Sequence, residues 1–262
     1  MKFLPIVSRI QHLLAPCCIF SILFCSSAAF AAHPLITDDA GTMGASKAQL
    51  ELNGEIGHDK EDGITTKTRQ GDACFSYGFS ELVDLVIDLP YVHVRTSDDT
   101  AAITENGFSD TSIAVKWRFY EDDGLSLALK PGLTLPTGDD EDGLGAGKVG
   151  YNLFFITTKE MAPWAFHLNL GYIKNENTLA EEEDIWHASI ASTVEVASNL
   201  TAVVNLGVER NADKLAGTDP AFFLAGLIYA MSDNLDLDCG IKFGLNDPET
   251  DRTVLAGITW KF

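Results

Sequence analysis

The stretch Leu235-Asp-Leu-Asp-Cys-Gly-Ile-Lys-Phe-Gly-Leu245 alternates without a break: every odd position is apolar or Cys, and every even one is Asp, Gly or Lys. A period of two is the side-chain period of a β-strand, whereas a helix would scatter these charges around its surface. The same alternation runs through Ile113 to Phe119, Leu125 to Leu135 and Trp164 to Tyr172. It returns at the end of the chain, where Val254, Ala256, Ile258, Trp260 and Phe262 share one face. The apolar faces are long and aromatic toward their ends, and the opposite faces hold Gly, Ser, Thr, Asn and charge. A soluble sandwich packs an aliphatic face against a second sheet; this pattern instead suits lipid outside and water or small polar side chains inside.

Working outward, short polar turns fall at Ser80-Glu81, Glu121 to Gly124, Lys159 to Pro163, Ser198-Asn199 and Ser232 to Asn234. Longer acidic, Gly-rich connections are expected at 59–69, 96–110, 137–148, 174–184, 210–219 and 246–251. Alternating turns and loops of this number require twelve strands. Residues 48–262 supply about 18 residues per strand with its connection, enough for the roughly 9–11 that cross a bilayer at a tilt. The expected fold is all-β, a closed antiparallel transmembrane β-barrel of about 12 strands with short periplasmic turns and longer acidic extracellular loops. Closure follows from physics, because an open edge in hydrocarbon would leave backbone donors unsatisfied.

The first residues read as a secretory leader, 1–31: Lys2 and Arg9 are basic, Ile10 to Phe24 is apolar, and Ala29-Phe30-Ala31 is a small-x-small cleavage site. Release at Ala32 takes two of the 18 bases and none of the 38 acids, leaving a net charge of -22. Such charge repels phosphate, and no nucleic-acid partner is expected. Pro16 before Cys17 and Phe24 before Cys25 do not fit a lipoprotein signal. Past the leader only Cys74 and Cys239 remain, so the chain is no disulfide scaffold. They fall in phase with opposite faces and are expected to stay unpaired. Residues 32–47, rich in Pro, Gly and Asp, read as a periplasmic or plug-like segment before the barrel at 48–262.

Three stretches carry a family resemblance: His33 to Gly44 followed by Gln49-Leu-Glu-Leu-Asn53, then Tyr77-Gly-Phe-Ser80, then Leu135-Pro-Thr-Gly-Asp139 continuing to Gly145-Ala-Gly-Lys148. Together they resemble the outer-membrane proteins of the MetA-pathway phenol-degradation family. The resemblance implies an outer-membrane barrel that moves small solutes, aromatic or hydrophobic ones among them. It implies no catalytic residue and no cofactor.

By phase, Asp84, Asp88, Lys116, Arg118 and Lys130 point into the lumen from three successive strands, placing acids and bases where they can pair across the sheet. Glu51, Glu55, Asp236 and Asp238 are further pore-lining candidates. Acids outnumber inward bases, so the lumen should disfavour anions. His187 and Ser189 lie two apart on one strand, the spacing at which a His can activate a Ser, but no third residue is identifiable and both face away from lipid. The acidic loop from Gly138 to Lys148 lacks both Walker and calcium-loop spacing, and His33, Asp38 and Asp39 are a weak metal set.

The reading is thus a non-enzymatic outer-membrane channel. One alternative is a structural barrel with a filled lumen that acts through its acidic outer loops; a third is a lipid hydrolase using His187 and Ser189. The partners expected are outer-membrane lipid and lipopolysaccharide, barrel-assembly machinery engaging the Phe262 strand, and a small-molecule solute.

Overall fold

A computed structural model describes residues 33–61 and 63–262. The leader read at 1–31 lies outside them. Thirteen strand segments follow one another: β1 (Ala48–Glu61), β2 (Ile64–Gly78), β3 (Val83–Ser97), β4 (Ala102–Phe108), β5 (Thr111–Asp122), β6 (Leu125–Leu135) and β7 (Gly150–Met161) come first. β8 (Trp164–Lys174), β9 (Asp184–Ala197), β10 (Leu200–Glu209), β11 (Ala221–Ser232), β12 (Leu235–Gly244) and β13 (Arg252–Lys261) complete the wall. β3 pairs with β4 along Tyr91 to Ser97 and with β5 along Val83 to Asp88, so β4 and β5 are one wall strand interrupted at Ser109 and Asp110. Pro90 stands at that interruption and has no amide to donate across it. The wall therefore has the twelve strands that the turn spacing predicts.

Every pairing is antiparallel, and β13 returns to β1. The closing bonds run both ways between the end residues: the Ala48 amide donates to the Phe262 carbonyl at 2.8 Å and the Phe262 amide to Ala48 at 2.9 Å. No sheet edge is left for hydrocarbon to meet. The terminal aromatic closes the cylinder, as its alternation predicts.

Outward positions form two aromatic bands. Trp117, Phe119, Trp164, Tyr229, Trp260 and Phe262 surround the short-turn end; Tyr151, Tyr172, Trp186 and Phe243 surround the other, all substantially exposed. That is the arrangement by which lipid-facing barrels sit at two interfaces. Cys239 is exposed on this face while Cys74 lies inward in register with Glu51 and Asp88, and both are free.

Two connections differ from expectation. β1 runs to Glu61 and β2 starts at Ile64, and β3 and β4 fill most of 97–108, so the predicted loops at 59–69 and 96–110 are largely strand. Their polarity marks hairpins that rise out of the bilayer, where both faces are wetted and polar side chains no longer signal the end of pairing. Pro131 sits opposite Leu153 with no shift of register; irregularities of register fall near Leu200, Tyr120 and Ser232.

Candidate functional site

The inward positions of a strand alternate with lipid-facing ones, so each wall strand offers the lumen one side chain per two residues, many of them polar. Residues 33–47 take up many of these offers. Entering beside the short turn of β2 and β3, the segment passes so close to the wall that a Cβ on Gly78 would collide with the Gly44 carbonyl. The Thr42 hydroxyl donates to the Glu81 carbonyl at 2.8 Å and the Met43 amide to Asp84 Oδ2 at 2.8 Å. The Ala40 amide then donates to Thr158 Oγ1 on β7, and the Asp38 amide to Asn169 Oδ1 on β8, whose Nδ2 returns a bond to the Asp38 carbonyl. The Ile36 and Thr37 amides share Asn205 Oδ1 on β10 at 2.9 and 3.0 Å. Pro34 lies against Gly226 and Gly240, where a Cβ on Gly226 would stand 2.6 Å from its ring. His33 Nδ1 ends the path, 2.5 Å from Asp238 Oδ1 on β12.

The segment thus follows the inside of the wall from β3 to β12. Its backbone amides find partners in side chains, which a loop deep in a barrel needs as much as a strand does. Apolar contacts add to them: Ala40 packs with Ala128, Ile156 and Phe154, and Leu35 with Val203, Phe222, Leu224 and Leu255.

The electrostatic centre is Asp38. Lys116 Nζ reaches its Oδ1 at 2.7 Å and Lys130 Nζ its Oδ2 at 2.9 Å, so two wall lysines hold one carboxylate between them. Cross-strand pairing of Lys116 and Lys130 with Asp84 and Asp88 is therefore not the arrangement adopted. Asp84 receives the Met43 amide, and Asp88 accepts from the Ser112 hydroxyl at 2.8 Å. Arg118, nearer the short-turn rim, bonds the Glu81 carbonyl and pairs with Glu121. The sequence pattern gives facing but not partner, because the segment that competes for the lysines is distant in the chain from them.

The other half of the lumen is open. A cavity of about 220 Å³ lies between the segment and β1, β2 and β3, bordered by Glu51, Asn53, Asp72, Cys74, Asp84 and Asp88 among others. This far exceeds the roughly 10–15 Å³ that one water needs. Glu51 accepts from Gln49 Nε2 at 2.7 Å. Glu55 lies one inward step further along β1, opposite Gln70. Asp236 and Asp238 are buried on β12, the first paired with Lys261 at 2.6 Å.

His187 and Ser189 do acquire a third member. His187 Nε2 is 2.9 Å from Ser189 Oγ and its Nδ1 is 3.0 Å from Glu209 Oε2, on the neighbouring strand in register. The order matches an acid, base and nucleophile. Yet Ser189 Oγ accepts the Thr37 hydroxyl at 2.8 Å, and Thr37 is itself held by Asn205 Nδ2 at 2.6 Å. Ser189 and Thr37 are buried, and the neighbouring Asn205 and segment amides are already paired with one another. What this network does here is clamp Thr37 to the wall.

At the long-loop end, Asp110 bonds the Gly138 and Ala146 amides, and Thr178 joins the next loop through Asp140 at 2.7 Å. The acids of this loop serve its own backbone, Asp139 accepting from the Glu141 and Asp142 amides. Among the described residues no group of three or more His, Cys, Asp or Glu is placed to hold a metal ion, and His33 and Asp38 bind different partners. Outside the membrane span, Lys174 beside Glu183 holds that carboxyl below its ordinary range.

A closed twelve-stranded antiparallel cylinder with aromatic bands outside and a polar interior defines an outer-membrane β-barrel of the porin kind. Residues 37–262 match the family described as "Putative MetA-pathway of phenol degradation", and the chain belongs to it. No curated protein matches the chain. Among solved structures it is similar to the KdgM porin, at 9% identity and a TM-score of 0.57 over 82% of this chain and 99% of that one. The NanC porin is similar at 10% identity and a TM-score of 0.52, covering 81% and 100%. The β domain of the Bordetella autotransporter BrkA gives 11% and 0.51, covering 82% and 99%. At such identities the likeness is one of fold.

Proposed function

We propose that the protein is a constricted outer-membrane channel for small solutes, whose path runs through the open half of the lumen beside residues 33–47. The observation that carries this reading is the 220 Å³ cavity between that segment and β1 to β3, lined mainly by polar side chains with Leu35, Ile36, Met43 and Val86 among them. Acids border it while its two lysines are engaged by Asp38, so neutral and cationic solutes are favoured over anions. One KdgM structure holds disordered oligogalacturonate, a polyanion, and the acidic border here argues for different cargo. The polar lining equally favours polar solutes over the aromatic ones that the family name suggests.

Export by the leader at 1–31, insertion through the Phe262 strand by barrel-assembly machinery, and contact of the aromatic bands with lipid and lipopolysaccharide belong to this reading. So does the absence of catalysis, since Ser189 is engaged by Thr37 and buried. The second reading, a structural barrel, draws support from the bonded half of the lumen and the tied outer loops. Single-channel recording in planar bilayers separates the two: small, discrete, cation-preferring steps are expected, and a silent barrel would leave the structural reading in its place.

A further inference from the structure

The outward face of β13, β1, β2 and β3 changes character as these strands approach the long-loop end. Arg252 lies opposite His58, His58 opposite Lys67, and Lys67 opposite Arg95, so basic side chains on four successive strands form one row. The next row toward the bilayer runs Val254, Ile56, Arg69, His93 and Asn106. The next one outward, Lys60, Thr65, Ser97 and Ala102, adds a further cation. These rows hold no carboxylate, and Ile56 and Val254 within them are more than half exposed. Lys60, Lys67, Arg69, Arg95 and Arg252 are exposed and, among the described residues, enter no ion pair or side-chain hydrogen bond.

Like charges directly opposite one another across a sheet repel, and this chain has 38 acids to 18 bases from which to choose partners. At the other long loops it does so: Lys174 is held by Glu183 and Arg210 by Glu182. Beside the basic rows, Asp59 and Asp251 accept backbone amides instead. The counter-charge for these five cations must come from outside the chain.

Their position says which anion. On β13 the row is level with the outer aromatic band, since Phe243 is the register partner of Arg252. On β3, Arg95 stands beyond the exposed Tyr91 by roughly 13 Å along the strand. The cations thus occupy several depths. A phospholipid brings one phosphate at one depth, whereas lipopolysaccharide carries phosphates on its lipid-bound sugars and further acids outward along its core. Below the bases, Gly54 lies between Ala256 and Gly71. A Cβ on Gly54 would meet nothing nearer than the Ala256 carbonyl at 3.8 Å, and one on Gly71 nothing nearer than the Asn53 carbonyl at 3.9 Å. Crowding does not require glycine at either place, and the pair leaves a shallow trough between Ile56 and Leu52 that suits an acyl chain.

We infer that this face of β13, β1, β2 and β3 seats one lipopolysaccharide molecule, its phosphates on Arg252, Lys67, Arg69 and Arg95 and an acyl chain over Gly54 and Gly71. Guanidinium forks match phosphate oxygens two at a time, and charge-assisted bonds of this kind are the strong ones. The inference deepens the outer-membrane reading: it rests on the long loops facing outward, and not on conduction.

The test uses the full-length barrel in mixed detergent micelles containing diphosphoryl lipid A, its dephosphorylated form or phosphatidylglycerol, with binding read by native mass spectrometry. Diphosphoryl lipid A should bind at least about tenfold more tightly than either of the others. Arg69→Gln combined with Arg95→Gln should weaken it by a similar factor. Lys148→Gln combined with Lys214→Gln, which removes two exposed bases of other loops, should leave it unchanged. Heat-modifiable gel migration confirms that both double variants are folded. Equal binding of the three lipids, unchanged binding in the Arg69 and Arg95 variant, or equal loss in both variants overturns the site. Orientation and conduction are read separately. An epitope inserted in the 210–219 loop should be detected on intact cells; detection only after permeabilisation removes the outward orientation and the inference with it. The Arg69 and Arg95 variant should conduct as the wild type does, because both side chains face away from the lumen. A wild type that carries no current but prefers diphosphoryl lipid A removes the channel reading and keeps the site.

Discussion

The two halves of the lumen are made by the same alternating strands and differ in what faces them. Along β7 to β10, inward Thr158, Asn169, Ser189 and Asn205 each bond residues 37–40 or their neighbours, and the interior there is closed. Along β1 to β3, inward Glu51, Asp72 and Asp88 border open space. The closed half is rich in neutral amides and hydroxyls, and the open half in carboxylates. Amide and hydroxyl side chains bind the segment's backbone without adding unpaired charge to a closed interior, whereas carboxylates without a protein partner are tolerated where water or solute can reach them. Composition of the inward face, more than strand geometry, thus marks which part of a narrow barrel is packed and which is left to solvent.

The comparison is broken most severely by deleting residues 33–44, which removes the occupant of the closed half. Single-channel conductance should rise several-fold, and unchanged conductance would mean that the solute path lies elsewhere. Next in size, Asp38→Asn leaves Lys116 and Lys130 side by side without their carboxylate. Breaking a largely buried pair costs about 3 kcal/mol, and the midpoint of urea unfolding in lipid or detergent should fall accordingly, with selectivity turning toward anions. The counterpart in the open half is Asp88→Asn, expected to leave the unfolding midpoint nearly unchanged while lowering cation preference in reversal-potential measurements.

Asn205→Leu tests the neutral side alone. It strands the Ile36 and Thr37 amides, a loss of about 2 kcal/mol in the same unfolding assay with no change of ion selectivity. Ser189→Ala removes one hydroxyl from the clamp on Thr37 and should cost about 1 kcal/mol. Ester hydrolysis by the purified protein should be equal in wild type and this variant; turnover that depends on Ser189 would restore the hydrolase reading. Smallest of all, copper-catalysed oxidation should leave gel mobility unaltered, because Cys74 lies on the lumen side and Cys239 is exposed outside.

Much of the fold was legible because a barrel's pattern is local. Leu235 to Leu245 shows its strand and its facing without reference to any other part of the chain, and turn spacing supplies the count. Hairpins that leave the bilayer were not legible, since Thr65 to Arg69 is polar on both faces and still pairs. The inward placement of Asp84, Lys116 and Lys130 followed from phase, but their partners did not. Asn169 and Asn205, the residues that bind the segment most fully, carry no charge and so drew no notice, although an amide at an inward position was the available signal. Glu209 completes the His187 and Ser189 arrangement from a neighbouring strand, a relation fixed by register and invisible to spacing.

By itself, then, the sequence determined an alternating, outward-apolar wall that must close, an acidic interior and a Pro- and Gly-rich segment before the first strand. Period and composition act between neighbours in the chain, and lipid enforces them residue by residue. Tertiary structure alone decided that this segment lies along one half of the lumen, that Asp38 draws two lysines away from the wall acids, and that closure sets Arg252 beside His58 in one basic row. Those outcomes join residues from about 80 to 200 positions apart. Which distant polar groups meet depends on register, on closure of the cylinder and on the competition of one short backbone stretch for every inward donor and acceptor within reach.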